Sequence, residues 1–228
     1  MPFIVDRNMR ESCVDSLRKM DEKIIFSENC NWVYSPVNTH PDLQIHFVSD
    51  KEAFVPPELF EYYKSILPDY VKLKQGKKSL GGTYPENVAY NIARIGNNIV
   101  AGKSADENII EYYRTKGCRI VEVKQGYTKC NICSDGISAV TEDCGIYKAL
   151  SENGIKTLLI PVGSVALEGF SNGFIGGASG FKNGRILLCG EAEIQIRKMI
   201  SDFFALNGRE VICLDNGKLT DYGSVLYF

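Results

Sequence analysis

Histidine is almost missing from these 228 residues; there are two, His40 and His46. Any proton transfer by imidazole near neutral pH has to use one of them. Neither sign of charge prevails, with 26 Lys and Arg against 28 Asp and Glu and a formal net charge of −2. That balance excludes the concentrated basic field of a nucleic-acid-binding surface. Long hydrophobic runs are missing too. The richest, Leu158 to Leu167, is broken by Pro161 and Gly163 and is too short to cross a bilayer. Charge arrives at Asp6 and Arg7, before any apolar stretch of signal-peptide length. The expected location is therefore the cytoplasm, with neither membrane nor nucleic acid as partner. What is plentiful is ordinary: 44% hydrophobic and 24% charged residues, enough apolar surface to offset the entropy of ordering.

Eight cysteines (13, 30, 118, 130, 133, 144, 189, 213) are expected to be reduced thiols in that compartment, with Cys118, Cys189 and Cys213 as packing residues in apolar strand-like runs. Cys130 and Cys133 form a C-x-x-C. No second such pair and no pair of histidines completes a zinc site, so neither a metal nor a cofactor is expected.

A repeat organises the chain. Val71-Lys-Leu-Lys-Gln-Gly76 echoes Val121-Glu-Val-Lys-Gln-Gly126, each an alternating strand ending at glycine. Leu159 to Gly163 and Val211 to Gly217 are weaker copies, and Lys23 to Phe26 is a fifth. Each strand follows a stretch with apolar residues at helical spacing: Cys13, Leu17 and Met20; Leu59, Tyr63 and Ile66; Ile109, Ile110 and Tyr113; Ile146, Tyr147 and Leu150; Ile196, Ile200 and Phe203. Ser104-Ala-Asp-Glu107 has the spacing of a capping box at one helix start. Ahead of the helices come hairpins, signalled by Asp135-Gly136 and Asn183-Gly184 and more loosely by Gly96-Asn97-Asn98. The unit is hairpin, helix, strand. Lys218 to Phe228 reads as a first hairpin arm lacking a helix, and Phe3 to Asp6 as a second arm lacking its first. Their pairing closes a ring of five units without an exposed edge, giving a single α/β domain over residues 1–228 with pseudo-fivefold symmetry.

Five hairpin–helix–strand units in this length resemble the pentein fold, the five-bladed α/β-propeller of the guanidino-group-modifying enzymes. The segments His40-Pro-Asp-Leu-Gln44, Gly126-Tyr-Thr-Lys-Cys130, Gly173-Phe-Ile-Gly-Gly-Ala-Ser-Gly180 and Asp221-Tyr-Gly-Ser224 are similar to a bacterial family within that superfamily whose motifs carry no assigned chemistry. The resemblance implies a cysteine near the C-terminus attacking a guanidinium carbon, a histidine in H-x-E or H-x-D as acid and base, and carboxylates gripping the guanidinium nitrogens. Here no cysteine follows Cys213, and Tyr227 stands close to where the nucleophile is expected. The ribosomal anti-association factor, another pentein, uses the ring without an active site.

The residues themselves leave two readings open. His40-Pro41-Asp42 is H-x-D, either an acid/base pair or a loop histidine with a turn-capping aspartate. His46, at an alternating position of Leu43 to Val48, reads as a buried strand residue. Cys130 opens the third hairpin, two units from His40, and is either a nucleophile activated by that imidazole or a buried thiol. The glycines from 169 to 180 lack a following helix, so a dinucleotide site is not expected; they let strands crowd around a narrow axis or let a ligand approach the backbone. Ser179 offers a hydroxyl there. Asn91 and Asp221 occupy matching positions in their units and either converge on a central pocket or cap turns. The leading expectation is a protein binding a small cationic or amino-acid-like metabolite centrally, as a hydrolase or deiminase with Cys130, His40 and Asp42 catalytic and Asn91, Ser179 and Asp221 binding. The alternative is a non-catalytic binding or assembly protein on the same ring. A thiol redox pair of Cys130 and Cys133 is a third reading, at odds with a C-x-x-C that opens a hairpin.

Overall fold

Phe3, Ile4 and Val5 are apolar, extended and fully buried as strand β1 (Phe3–Val5). The chain then turns into α1 (Glu11–Arg18), which buries Cys13, Val14 and Leu17, and β2 (Ile24–Phe26) returns parallel to β1. This computed structural model describes residues 2–20 and 23–228. A short α2 (Pro41–Gln44) leads into the hairpin of β3 (His46–Ser49) and β4 (Glu52–Val55), followed by α3 (Phe60–Ile66) and β5 (Lys72–Gln75). The next unit comprises β6 (Ala93–Ile95), β7 (Asn98–Gly102), α4 (Glu107–Thr115) and β8 (Arg119–Val123). After α5 (Thr128–Asn131) come β9 (Cys133–Ser134), β10 (Ala139–Thr141), α6 (Cys144–Glu152) and β11 (Thr157–Leu159). The last full unit is β12 (Ser179–Lys182), β13 (Arg185–Leu188), α7 (Ile194–Ala205) and β14 (Glu210–Cys213), and β15 (Leu226–Tyr227) follows.

Each of the five sheets has three strands. The second hairpin arm lies in the middle, antiparallel to the first arm and parallel to the strand after the helix. A parallel neighbour requires a crossover, and the helix supplies it. The central arms are almost wholly buried, whereas the outer strands β5 and β14 are half-buried, which is why only the outer ones alternate with charge. The expected terminal pairing is present: β15 runs antiparallel to β1, with Phe3 opposite Tyr227 and Ile4 opposite Leu226. Asn183 and Gly184 both have positive φ, 48° and 82°, as a two-residue type I′ hairpin turn requires.

Two local expectations are corrected. The cap of α4 is Asp106, not Ser104: its Oδ1 accepts the Asn108 N–H at 2.9 Å, while its Oδ2 accepts the Lys77 and Lys78 N–H groups at 2.7 Å each. An aspartate caps as well as serine and here also ties the end of β5 to the helix. In α6 and α7 the buried faces are Ile146 with Leu150, and Ile196 with Ile200 and Phe204; Tyr147 is exposed and Phe203 only half-buried. Among the described residues no helix is long and apolar enough to cross a membrane.

Candidate functional site

The stretches that precede β3, β6, β9, β12 and β15 meet one another. His40 and Asp42 precede β3, Asn91 precedes β6, Lys129 and Cys130 sit on α5 before β9, Gly176 and Gly177 precede β12, and Asp221 to Ser224 precede β15. Pro41 at the first turn of α2 suits the fixed φ of proline, and the Asp42 N–H donates to Gly223 O at 3.2 Å, fixing α2 against the last arm. These segments bring most of the expected residues together.

Asp42 is the hub. Its Oδ2 accepts the Cys130 thiol at 3.0 Å and the Ser224 hydroxyl at 2.7 Å. Its Oδ1 is buried with no hydrogen-bond partner. The Asn91 amide donates to Cys130 Sγ and to Asp42 O, both at 3.2 Å, and its Oδ1 accepts the N–H groups of Lys129 at 2.8 Å and Cys130 at 3.2 Å. Asn91 therefore joins two units rather than capping a turn. The Lys129 ammonium donates to Ser224 Oγ at 2.9 Å. His40 lies between two carboxylates, Nε2 at 3.9 Å from Asp6 Oδ2 and Nδ1 at 3.8 Å from Asp221 Oδ1. Asp221 in turn accepts the N–H groups of Phe174 and Gly223, each at 2.9 Å.

Burial governs the electrostatics. Desolvation raises the Asp6 and Asp221 carboxyls above their ordinary value, an effect that His40 partly offsets. Desolvation, with Asp42 and Asp221 nearby, holds the Cys130 thiol well above the usual range, so the thiol is protonated. Burial pushes Cys133 up to about 11, which removes the reactive thiol that a redox pair needs; both cysteines are free. His46 is structural, as expected: its Nε2 meets the Tyr113 hydroxyl at 2.9 Å, and burial pushes it down to about 3, leaving it neutral.

A cavity of about 250 Å³ opens beside the cluster. Asp42, Arg94, Lys129, Ser179, Phe181 and Tyr227 are among its lining residues, and all five first arms contribute to it. Ser179 also donates to Gly176 O at 3.1 Å. Cys130, His40, Asn91 and Asp221 lie behind this lining rather than on it. The glycine stretch is steric in purpose: a Cβ on Gly177 would fall 1.9 Å from Asp221 Oδ1, and one on Gly176 would fall 2.2 Å from Lys129 O. β12 follows it, not a helix.

Sequence reasoning did not single out Asp6, Lys129 or Ser224. The ending Asp221 to Ser224 stood out as a motif, but Tyr227 drew the attention. Tyr227 pairs with Phe3 in β15, and Ser224, with φ of 75°, turns its hydroxyl to Asp42. Positive φ on serine is the signal that only coordinates reveal.

Five such sheets with polar residues gathered at the arm entrances define a pentein-type fold. A dimethylarginine dimethylaminohydrolase, solved as an adduct with 4-chloro-2-hydroxymethylpyridine, matches with a TM-score of 0.57 at 11% identity, over 93% of this chain and 91% of that one. The Pseudomonas aeruginosa enzyme, a cysteine-to-serine variant complexed with citrulline, matches with a TM-score of 0.56 at 13% identity over the same shares. By sequence, residues 4–226 match the family of unknown function DUF6873, and the chain belongs to that family. No curated protein matches it.

Proposed function

We propose that the five sheets are the blades of one closed, pseudo-fivefold wheel, and that the protein is a hydrolase or deiminase of a small cationic, amino-acid-like metabolite bound at the hub. The observation that carries this is the convergence of Cys130, Asp42 and His40, from units two apart, beside a cavity to which every first arm contributes. The similar dimethylarginine dimethylaminohydrolase structures supply the class of reaction.

In this reading Asp42 Oδ2 takes the thiol proton across the existing 3.0 Å hydrogen bond, and the sulfur attacks the electrophilic carbon of an amidine or guanidinium. His40, set between Asp6 and Asp221, is the group placed to pass a proton to the departing amine. Water then adds to the carbon held on sulfur, and the C–S bond breaks to restore the thiol. Asp42 and Asp221 attract the cationic group, Asn91 aims the sulfur, and Ser179 adds a hydroxyl on the cavity wall.

The test is amine or ammonia release from a panel of guanidino and amidino compounds. Cys130→Ala and His40→Ala are each expected to abolish turnover of any substrate found. Turnover by both variants at the wild-type rate overturns the assignment. The placement of Cys130 behind the cavity lining favours a second reading, a binding protein without turnover. Saturable binding of a panel member that Asp42→Asn weakens, with no product formed, selects that reading.

A further inference from the structure

Three residues of the cluster present the donor types that zinc accepts: an imidazole nitrogen, a carboxylate oxygen and a sulfur. One such atom from each of His40, Asp42 and Cys130 lies within 4.8 Å of the other two, and all three residues are buried. Ligand atoms around tetrahedral zinc sit roughly 3.3–3.6 Å apart, given bonds of about 2.0–2.3 Å. Closing onto a metal therefore asks for side-chain movement of about an ångström.

An independent observation points the same way. Asp42 Oδ1 is buried and has no hydrogen-bond partner, although Oδ2 of the same carboxylate has two. A buried carboxylate oxygen without a donor is costly, and a cation removes that cost.

The groups behind the three donors also fit. A histidine on a metal usually has its other ring nitrogen on a carboxylate. Here Nε2 faces Asp6 and Nδ1 faces Asp221, so whichever nitrogen ligates, the other keeps an acidic neighbour. The Asn91 N–H directed at Cys130 Sγ suits a thiolate, and the Ser224 hydroxyl orients the Asp42 carboxylate. The opposing charge is the Lys129 ammonium, held on Ser224. The carboxyl groups of Asp6, Asp42 and Asp221 outnumber it.

We propose that His40, Asp42 and Cys130 form a binding site for zinc or a divalent metal of similar softness, with a fourth coordination position left for water. Binding replaces the S–H bond of Cys130 by a sulfur–metal bond, and the proton leaves to solvent. The inference does not rest on the hydrolase reading: a sulfur held on zinc is not a free nucleophile, so the metal-bound protein is not the catalytic form which that reading describes. Each can fail without the other.

Full-length protein stripped with a chelator and titrated with zinc, then with cobalt(II), tests the proposal. Expected are one equivalent of tightly held zinc, proton release on binding, and a sulfur-to-cobalt charge-transfer band with the visible spectrum of four-coordinate cobalt. Cys130→Ser is expected to abolish that band. His40→Ala is expected to weaken zinc by more than the roughly 10- to 100-fold seen when outer partners are lost. Cys144→Ser, at the exposed cysteine, is expected to change nothing. No binding by the wild type, a cobalt spectrum without sulfur, or binding that persists in Cys130→Ser overturns the proposal. The wild-type measurements decide even if a variant fails to fold.

Discussion

Replacing Glu142 by glutamine removes a carboxyl that burial raises from 4.5 to about 7. Glu142 is 5% exposed; its Oε2 accepts the Ile175 N–H at 3.1 Å, and its Oε1 has no hydrogen-bond partner. The carboxyl thus anchors the segment that carries Phe174, whose N–H holds Asp221. Because its folded pKa exceeds the unfolded one, the folded chain binds this proton more tightly. The stabilisation is complete below about 4.5, is lost as the pH rises to about 7, and stays lost above it. At about 1.4 kcal/mol per pH unit the loss comes to about 3 kcal/mol. Urea unfolding of both proteins at about pH 5 and about pH 8 measures it. The raised carboxyls of Asp6 and Asp221 are present in both proteins, and because Asp221 also acts on Glu142, the difference between the two reads Glu142 together with that coupling. E142Q should match the wild type near pH 5, and near pH 8 it should be the more stable by up to about 3 kcal/mol. A difference that does not change with pH would refute the reasoning, because it would mean that the Glu142 charge is compensated within the fold.

Asn91→Ala leaves the buried N–H groups of Lys129 and Cys130 without their acceptor. At about 1–3 kcal/mol for each, the variant should lose about 2–6 kcal/mol in urea unfolding, and a loss under about 0.5 kcal/mol would show that the site repacks. Under native conditions iodoacetamide should label the exposed Cys144 well before Cys130, which is 2% exposed. Peptide mapping by mass spectrometry reads the order, and early labelling of Cys130 would mean that the hub opens readily.

The hairpin, helix and strand units were legible because their signals are local. A turn pair such as Asn183-Gly184, a helical stripe such as Ile196 and Ile200, and an alternating outer strand such as Lys72 to Gln75 each declare themselves within a few residues. The pairing of Phe3 with Tyr227 was legible only by counting units, since one arm without a partner at each end implies the other. The site was half legible. His40, Asp42, Asn91, Cys130 and Asp221 could be proposed from residue type and position in the repeat. Ser224 could not, because its role depends on a left-handed backbone at a non-glycine residue. Asp6 looked like the end of a hydrophobic strand, and its proximity to His40 rests on a contact 33 residues apart in the chain, the Thr39 hydroxyl donating to Asp6 Oδ2 at 2.9 Å. Zinc was set aside on the spacing of Cys130 and Cys133, yet the three donors that now stand together are 90 residues apart at their extremes, beyond the reach of any spacing rule.

The two proposals for the hub share one physical cause. Asp6, Asp42 and Asp221 put three carboxyls in a buried volume whose nearby basic groups are His40 and Lys129, and one oxygen of Asp42 lacks a donor. Such an arrangement is poorly compensated by itself and is improved by a cation. In the proposed reading an organic cation in the cavity meets Asp42, with Arg94 and Lys129 beside it, ahead of Cys130, which is not among the lining residues. That order favours a molecule with a cationic head and an anionic tail over a simple amine. A metal ion is small enough to pass the same lining and to sit among atoms already within 4.8 Å of one another. Size and charge distribution, rather than affinity, are what separate the two occupants.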